Sequence, residues 1–324
     1  MTKRVLLTGA YGNIGQFALD YLLADGHEVI TLDRKTPATE AAAKRFANQV
    51  TCLWGDITQR ADLEKAVAKA DTVIHLAAVI PPVTEINEEL ATRVNTEATK
   101  TLIDVMQNSE QCKRLVFASS VAVYGKAQKH RTPPLTIDHP YMPDDHYGRT
   151  KQWAEEAILA SDLEWSILRI CVAPPVQVNF FGGSFDYRMI FDMNPDTRVE
   201  YVHPQDCARA FTHAVDTDEA IRGIYQLGGG DGCQVTALEF NNSLLAAYGI
   251  PPMPREPFNP GEPAFYGDFM DTEESQRVLR FQQHTLADAN AQTAKSIGVL
   301  RSVIRLFGPI ARWYMMRQSP YRQS

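Results

Sequence analysis

Short apolar runs alternate with stretches of helical periodicity through the first half of the chain. Residues 5–8 form a compact apolar run that stops at Gly9 and reads as a first strand. Ile14, Phe17, Ala18, Tyr21 and Leu22 recur at three- and four-residue spacing, so a helix is predicted over 13–24, ended by Gly26. The same reading predicts strands over 28–32, 50–54, 72–76, 114–118 and 165–169, with helices over 60–69, 87–107 and 147–160 between them. Strands alternating with helices of this length predict an α/β fold built on a doubly wound parallel sheet. Several of the strands are apolar throughout, as strands covered by helices on both faces must be. Beyond Cys171 the pattern loosens. Pro174-Pro175, Gly182-Gly183, the glycines at 228–230 and the proline-rich stretch 251–263 mark loops between shorter elements. A main domain over 1–170 is therefore expected, with 171–324 forming mainly a smaller C-terminal lobe that shapes a substrate pocket and returns some segments to the sheet.

Composition narrows the class. Apolar residues make up 44% of the 324 residues and charged residues 22%, as in an ordinary soluble globular protein. A net charge of -7 excludes a nucleic-acid binder in the chain as a whole. The five cysteines (Cys52, Cys112, Cys171, Cys207, Cys233) are scattered without a CxxC, which argues against a disulfide framework or a zinc site and for reduced thiols in a cytoplasmic protein. No apolar stretch reaches the ~18 residues of a membrane span. The first residues already read as a strand, so no leader is expected.

The chemistry begins at the end of the first strand. Thr8-Gly9-Ala10-Tyr11-Gly12-Asn13-Ile14-Gly15 is a TGxxGxxG turn between a strand and a helix. Its glycines let backbone approach a pyrophosphate, and the helix N-terminus adds N–H donors and positive dipole. This is the signature of a Rossmann-type dinucleotide site. Asp33 follows 18 residues after Gly15, where a carboxylate accepts from both adenosine ribose hydroxyls and repels a 2′-phosphate. NAD is thus expected over NADP, although Arg34 and Lys35 stand beside the carboxylate and offset its charge. Asp56, in Gly55-Asp56-Ile57, has two readings: a contact with the adenine amino group, or an N-cap for the next helix. Tyr147 and Lys151 stand at i and i+4 and share a helix face, where an ammonium would lower the phenol's pKa toward working pH. Ser119-Ser120 ends a strand at the carboxyl edge of the sheet, where ligands bind in such folds.

These residues in this order resemble the extended short-chain dehydrogenase/reductases of the NAD-dependent epimerase/dehydratase family. The likeness rests on residues 8–15, Asp33, residues 55–57, His75-Leu76-Ala77-Ala78, Asn95, residues 117–125, residues 147–151 and Leu168-Arg169, with a weaker match at 201–206 and 225–230. It implies Ser120, Tyr147 and Lys151 as the catalytic set. Gly9, Tyr11, Gly12, Asn13, Ile14, Gly15, Asp33, Arg34, Asp56, Ile57, Leu76, Ala77, Ala78, Asn95, Ala118, Ile170 and Val172 are implied around the cofactor, together with Tyr147 and Lys151. Val79, Ile80, Ser120, Val121, Tyr124 and Arg188 are expected at the substrate. A homodimer through the two long helices is implied as well.

The departures bear on the substrate. Dehydratases of the family carry an Asp-Glu pair where this chain has Val121-Ala122, so elimination of water is not expected. Sugar-nucleotide 4-epimerases hold the diphosphate with an asparagine at the place of Val172 and an arginine at the place of Val199; here Arg188 or Arg198 would have to serve. The leading expectation is hydride transfer between a secondary alcohol and a ketone. A sugar-nucleotide epimerase with tightly held NAD is the alternative, and a non-catalytic NAD-sensing regulator is the alternative of another class. Finally, Ile297, Leu300, Ile304 and Phe307 recur at helical spacing, with Arg301 and Arg305 on another face and no acidic residue after Asp288. A helix docked on its own domain or a second subunit, with its arginines in solvent, is expected; peripheral contact with an anionic membrane is the other reading.

Overall fold

The computed structural model describes residues 2–176, 187–263 and 266–322. Its strands are β1 (Arg4–Thr8), β2 (Glu28–Asp33), β3 (Thr51–Trp54), β4 (Thr72–His75), β5 (Arg114–Ser120), β6 (Glu164–Ile170), β7 (Arg198–Glu200), β8 (Gly223–Leu227) and β9 (Gln234–Thr236). Seven of them form one sheet in the order β3-β2-β1-β4-β5-β6-β8, with every neighbouring pair parallel. The last strand of that sheet comes from the loosely patterned half of the chain. β7 and β9 pair separately as an antiparallel ribbon.

The helices are α1 (Gly15–Ala24), α2 (Pro37–Ala43), α3 (Arg60–Val67), α4 (Val83–Ile86), α5 (Glu88–Ala91), α6 (Ala98–Gln107), α7 (His146–Leu159), α8 (Pro204–Asp216), α9 (Ala237–Tyr248), α10 (Glu273–Leu279), α11 (Leu286–Ile297) and α12 (Leu300–Arg317). Strand alternation decides which face each residue feeds. Val5 and Leu7 join Ile74, Val116 and Leu168 under α1 and α8, where Phe211 is fully buried. Leu6 faces the other way with Val73, Leu115 and Ile167, under Leu102 of α6 and Ile158 of α7. Each such side chain contributes roughly 1.5–3 kcal/mol by leaving water. The strand order reverses between β1 and β4, and the crevice outside their carboxyl ends is where this topology binds ligands.

One expectation needs refinement and another needs correction. The helix predicted over 87–107 runs unbroken from Glu88, capped by Asn87, to Gln107, but a π-helical turn at Thr92–Glu97 lies within it, between α5 and α6. Such turns concentrate at functional sites, and this one aims Asn95 inward. The tail also runs opposite to the expectation. Ile297 is buried at the end of α11, but Leu300 and Phe307 of α12 are exposed, while Arg301 folds back to donate to the carbonyls of Ala246 and Ala247 that end α9. The apolar stripe faces solvent and the protein-facing side carries arginine. Pro309 lies within α12 without ending it.

Candidate active site

Residues of the glycine turn open a cleft of about 680 Å³ that runs along the carboxyl edge of the sheet to Lys151. Gly9 lies at φ +70°, and a Cβ there would come within 2.8 Å of the Ala77 nitrogen. A Cβ on Gly15 would strike the Gly9 carbonyl, so the turn can close onto the helix only with glycine at both places. Tyr11 is buried and holds the turn from below: its hydroxyl pairs with Thr31 at 3.0 Å, and its N–H donates to Asp33 at 3.1 Å. Asn13 reaches across to donate to the Ala173 carbonyl at 3.0 Å, tying the turn to the loop after β6. Gly12, Ile14, Asp33, Arg34, Asp56 and Ile57 line the same end of the cleft. Burial of the Asp33 carboxyl pushes its pKa from 3.8 to about 6, against backbone donors from Tyr11 and Ala10. Lys35 is turned to Glu40 at 3.3 Å and does not line the cleft. Asp56 caps no helix, because Gln59 holds the N-cap of α3; its carboxylate instead accepts from the Thr58 N–H and hydroxyl at 2.9 Å each.

The middle of the cleft is bordered by Leu76, Ala77, Ala78, Ala118, Ile170 and Val172. Thr8 accepts from the Ala77 N–H at 3.3 Å and pairs with the His75 ring at 2.7 Å, which fixes the loop leaving β4. Burial, with Lys151 near, holds His75 neutral at about 3.

Ser120 ends β5, and Tyr147 and Lys151 come from the first turns of α7. All three face the cleft. Helix α7 is held at its start by Asp145, which accepts from the Gly148 N–H at 2.7 Å, and by Glu85, which accepts from the N–H groups of His146 and Tyr147 at 3.3 and 3.2 Å. Gly148 lets the helix press against the turn after Ser120; a Cβ there would stand 2.5 Å from the Ala122 carbonyl. The Ser120 hydroxyl accepts from the Ala122 N–H at 3.2 Å and hydrogen-bonds the Tyr147 phenol. Burial raises that phenol from 10.0 to about 12, outweighing the serine. The expected lowering by the lysine is thus not what this arrangement produces. The Lys151 ammonium lies 5.9 Å from the Tyr147 ring centroid and donates to the Ala118 carbonyl at 2.7 Å. Burial lowers it from 10.5 to about 8, while Glu155 one turn on pulls upward.

Glu155, fully buried, forms a two-pronged pair with Arg169 and accepts from Ser119 and from Tyr141. This network stands behind Ser120, Tyr147 and Lys151 and joins α7, β5 and β6.

Three expected positions fall elsewhere. Asn95 is buried behind the cleft, where its amide bonds the N–H and carbonyl of Val79 at 2.8 and 2.9 Å and the Thr150 hydroxyl at 3.2 Å. It positions the wall and α7 rather than meeting a ligand. Tyr124 is buried beneath the site; its hydroxyl accepts from Arg169 at 2.6 Å and from Gln226 at 2.7 Å. Arg188 is exposed on a short turn and does not line the cleft. The end of the cleft beyond Ser120 is instead lined by Val79, Ile80, Pro81 and Val121, and by Leu90, Val94 and Tyr266, which no sequence motif marked. Arg93 adds a cation there. Tyr266 hydrogen-bonds Asp145 from a segment more than a hundred residues away, so no local pattern marks it. Among the described residues no group of acids, histidines and cysteines is placed to hold a metal ion.

The sequence profile described as "NAD dependent epimerase/dehydratase family" matches residues 5–194. UDP-glucose 4-epimerase 4 of Oryza sativa subsp. japonica is 34% identical over 188 residues, 54% of this chain and 50% of that protein. A 3-beta-hydroxysteroid dehydrogenase of Mycolicibacterium neoaurum is 33% identical over 194 residues, 58% of this chain and 51% of its own. The chain therefore spans about half the length of these curated relatives. Among solved structures, the UDP-glucose-4-epimerase from Stenotrophomonas maltophila with bound NAD and formylated UDP-arabinopyranose superposes with a TM-score of 0.77 at 21% identity, over 93% of this chain and 99% of that one. With more than half of its length matched, the chain belongs to the NAD dependent epimerase/dehydratase family.

Proposed function

We propose that the protein interconverts a secondary alcohol and a ketone with NAD, using Ser120, Tyr147 and Lys151. The observation that carries this reading is the convergence of those three side chains on one cleft that is continuous with the glycine turn and Asp33. The residues present fit the dinucleotide: the close approach at Gly9 and Gly15 leaves room for a pyrophosphate, and Asp33 stands where a ribose would end. NAD, when bound, supplies the two-electron carrier. Tyr147, neutral at pH 7 with its phenol near 12, gives a proton to the carbonyl oxygen during reduction and takes it back during oxidation. Ser120 holds the same oxygen. Lys151, near 8 and mostly charged at neutral pH, favours the phenolate as it forms, and would also hold the nicotinamide ribose of a bound NAD. From residue 171 onward Cys171, Val172, Ala173 and Tyr266 line the cleft, and the apolar wall of Val79, Ile80 and Val121 suits an alcohol of low polarity, a reading supported by the relative named 3-beta-hydroxysteroid dehydrogenase. An NAD-sensing regulator has no use for this proton route.

A second reading, epimerisation of a sugar nucleotide with retained NAD, is favoured by the relatives named epimerase. It is weakened by Arg198, which is committed to the buried Asp268 at 2.6 Å rather than free for a diphosphate. The faces of α6 and α7 are proposed as the homodimer contact, with Trp153 and Leu159 exposed on α7. The unpaired thiols suit a reducing, cytoplasmic setting.

The test is a screen of secondary alcohols, ketones and sugar nucleotides, followed by absorbance of reduced cofactor and by product stereochemistry. Tyr147→Phe is expected to lower kcat by ~10²–10⁴-fold while NAD affinity holds. A folded, NAD-binding Tyr147→Phe that turns over at the parent rate refutes the mechanism.

A further inference from the structure

Helix α12 carries an apolar face that none of the described residues covers. Val303, Leu306, Phe307, Ile310, Trp313 and Tyr314 recur at three- and four-residue spacing on one side, and all are exposed, Leu306 at 74% and Ile310 at 63%. Monomeric proteins rarely leave so many neighbouring large apolar groups in water without a use for them. The face cannot turn inward, because the opposite side is already fixed. Gly308 fits against the Gly249 carbonyl so closely that a Cβ would stand 2.8 Å from it, Met315 is buried, and Arg301 bonds the end of α9. Past the helix, Ser319 donates to the Pro257 carbonyl and Tyr321 to Asp192 at 3.1 Å.

Charge selects the occupant. Lys295, Arg301, Arg305, Arg312, Arg317 and Arg322 make the last 36 residues +6, with no acidic group, in a chain whose net charge is -7. A second copy seated on this face would bring two such tails together. An anionic lipid surface would instead attract this positive charge, with Arg301, already bonded to the end of α9, contributing least and cations within about a Debye length, ~8 Å, contributing most. Arg317 lies on the apolar side over the Trp313 ring, 4.8 Å from its centroid, and Trp313 and Tyr314 are the residue types that settle at a lipid–water boundary. At 18 residues the helix is about 27 Å long, and no helix among the described residues is long and apolar enough to cross a membrane. We propose that α12 lies in the plane of an anionic membrane surface, with its apolar face among the acyl chains, and holds the C-terminal lobe against that surface.

Co-flotation of the full chain with vesicles of equimolar phosphatidylglycerol and phosphatidylcholine tests this, with phosphatidylcholine vesicles alone as the comparison. Binding to the anionic vesicles is expected, reduced by raised salt and reduced at least roughly tenfold by Leu306→Glu with Ile310→Glu. NAD affinity should stay unchanged, since neither side chain reaches the cleft. Leu306→Ala with Ile310→Ala provides a milder pair if the first does not fold, with a smaller loss. Absence of flotation on anionic vesicles, or equal flotation of parent and both pairs, overturns the proposal. So does failure to float combined with a fall from dimer to monomer in the variants by sedimentation, which would assign the face to a second copy.

Discussion

Replacing Asp33 by asparagine should stabilise the NAD-free protein at alkaline pH and weaken its hold on NAD. The carboxyl titrates at about 6 in the fold against 3.8 for the unperturbed group, and burial is the leading cause. A folded pKa above the unfolded one means that the native state binds the extra proton between these values. Stability from this group is therefore full below about pH 3.8 and is lost as pH rises through about 6. At ~1.4 kcal/mol per pH unit the whole loss is about 3 kcal/mol. Asparagine keeps an oxygen that accepts the Tyr11 N–H, so the main change is removal of the charge. Urea unfolding at pH 8 should therefore show the variant more stable than the parent by about 1–3 kcal/mol, and the advantage should vanish near pH 4. Comparing variant with parent at each pH cancels other buried acids, such as Glu200 at about 7. The same exchange removes the charged acceptor for the ribose hydroxyls and should weaken NAD by roughly ten- to a hundredfold while narrowing its advantage over NADP. A variant that is destabilised equally at both pH values, or one that binds NAD as tightly as the parent, would show that Asp33 serves packing and not the cofactor.

Two other expectations follow from the same geometry. Alcohol oxidation needs a phenol that gives up its proton and the charged Lys151 that favours phenolate, so its rate should rise with pH and then fall as Lys151 loses its own proton through about 8, whereas ketone reduction, which needs the phenol protonated, should not rise; the two directions' pH–rate profiles are the check. Glu155→Gln leaves Arg169 buried without its charged partner and should cost about 3–5 kcal/mol in urea unfolding; because Glu155 pulls Lys151 upward, it should also move the falling limb of the oxidation profile to lower pH, a shift that a purely structural role would not cause.

Much of the site was legible along the chain because its parts are local. The TGxxGxxG turn needs glycine where backbone meets backbone, and the Tyr147–Lys151 spacing is one helical turn. Those constraints act within a few residues, so they are written at fixed offsets. Alternation in β1, with Val5 and Leu7 to one side and Leu6 to the other, likewise announces a sheet covered on both faces. What only the tertiary structure decided depends on partners far apart. Asn95 reads as a cofactor residue until the π-turn aims it at Val79 and Thr150. Tyr124 reads as a pocket residue until Arg169 and Gln226 claim its hydroxyl below the site. The ionisation of Tyr147 follows burial, which no spacing records, and so runs opposite to the effect of its lysine neighbour. The tail shows the limit most plainly. Periodicity marked a stripe through Ile297, Leu300, Ile304 and Phe307, of which only Leu300 and Phe307 are exposed; which side of α12 meets the protein depends on Gly308 fitting Gly249 and on Arg301 finding the end of α9, contacts fixed only when distant segments pack together.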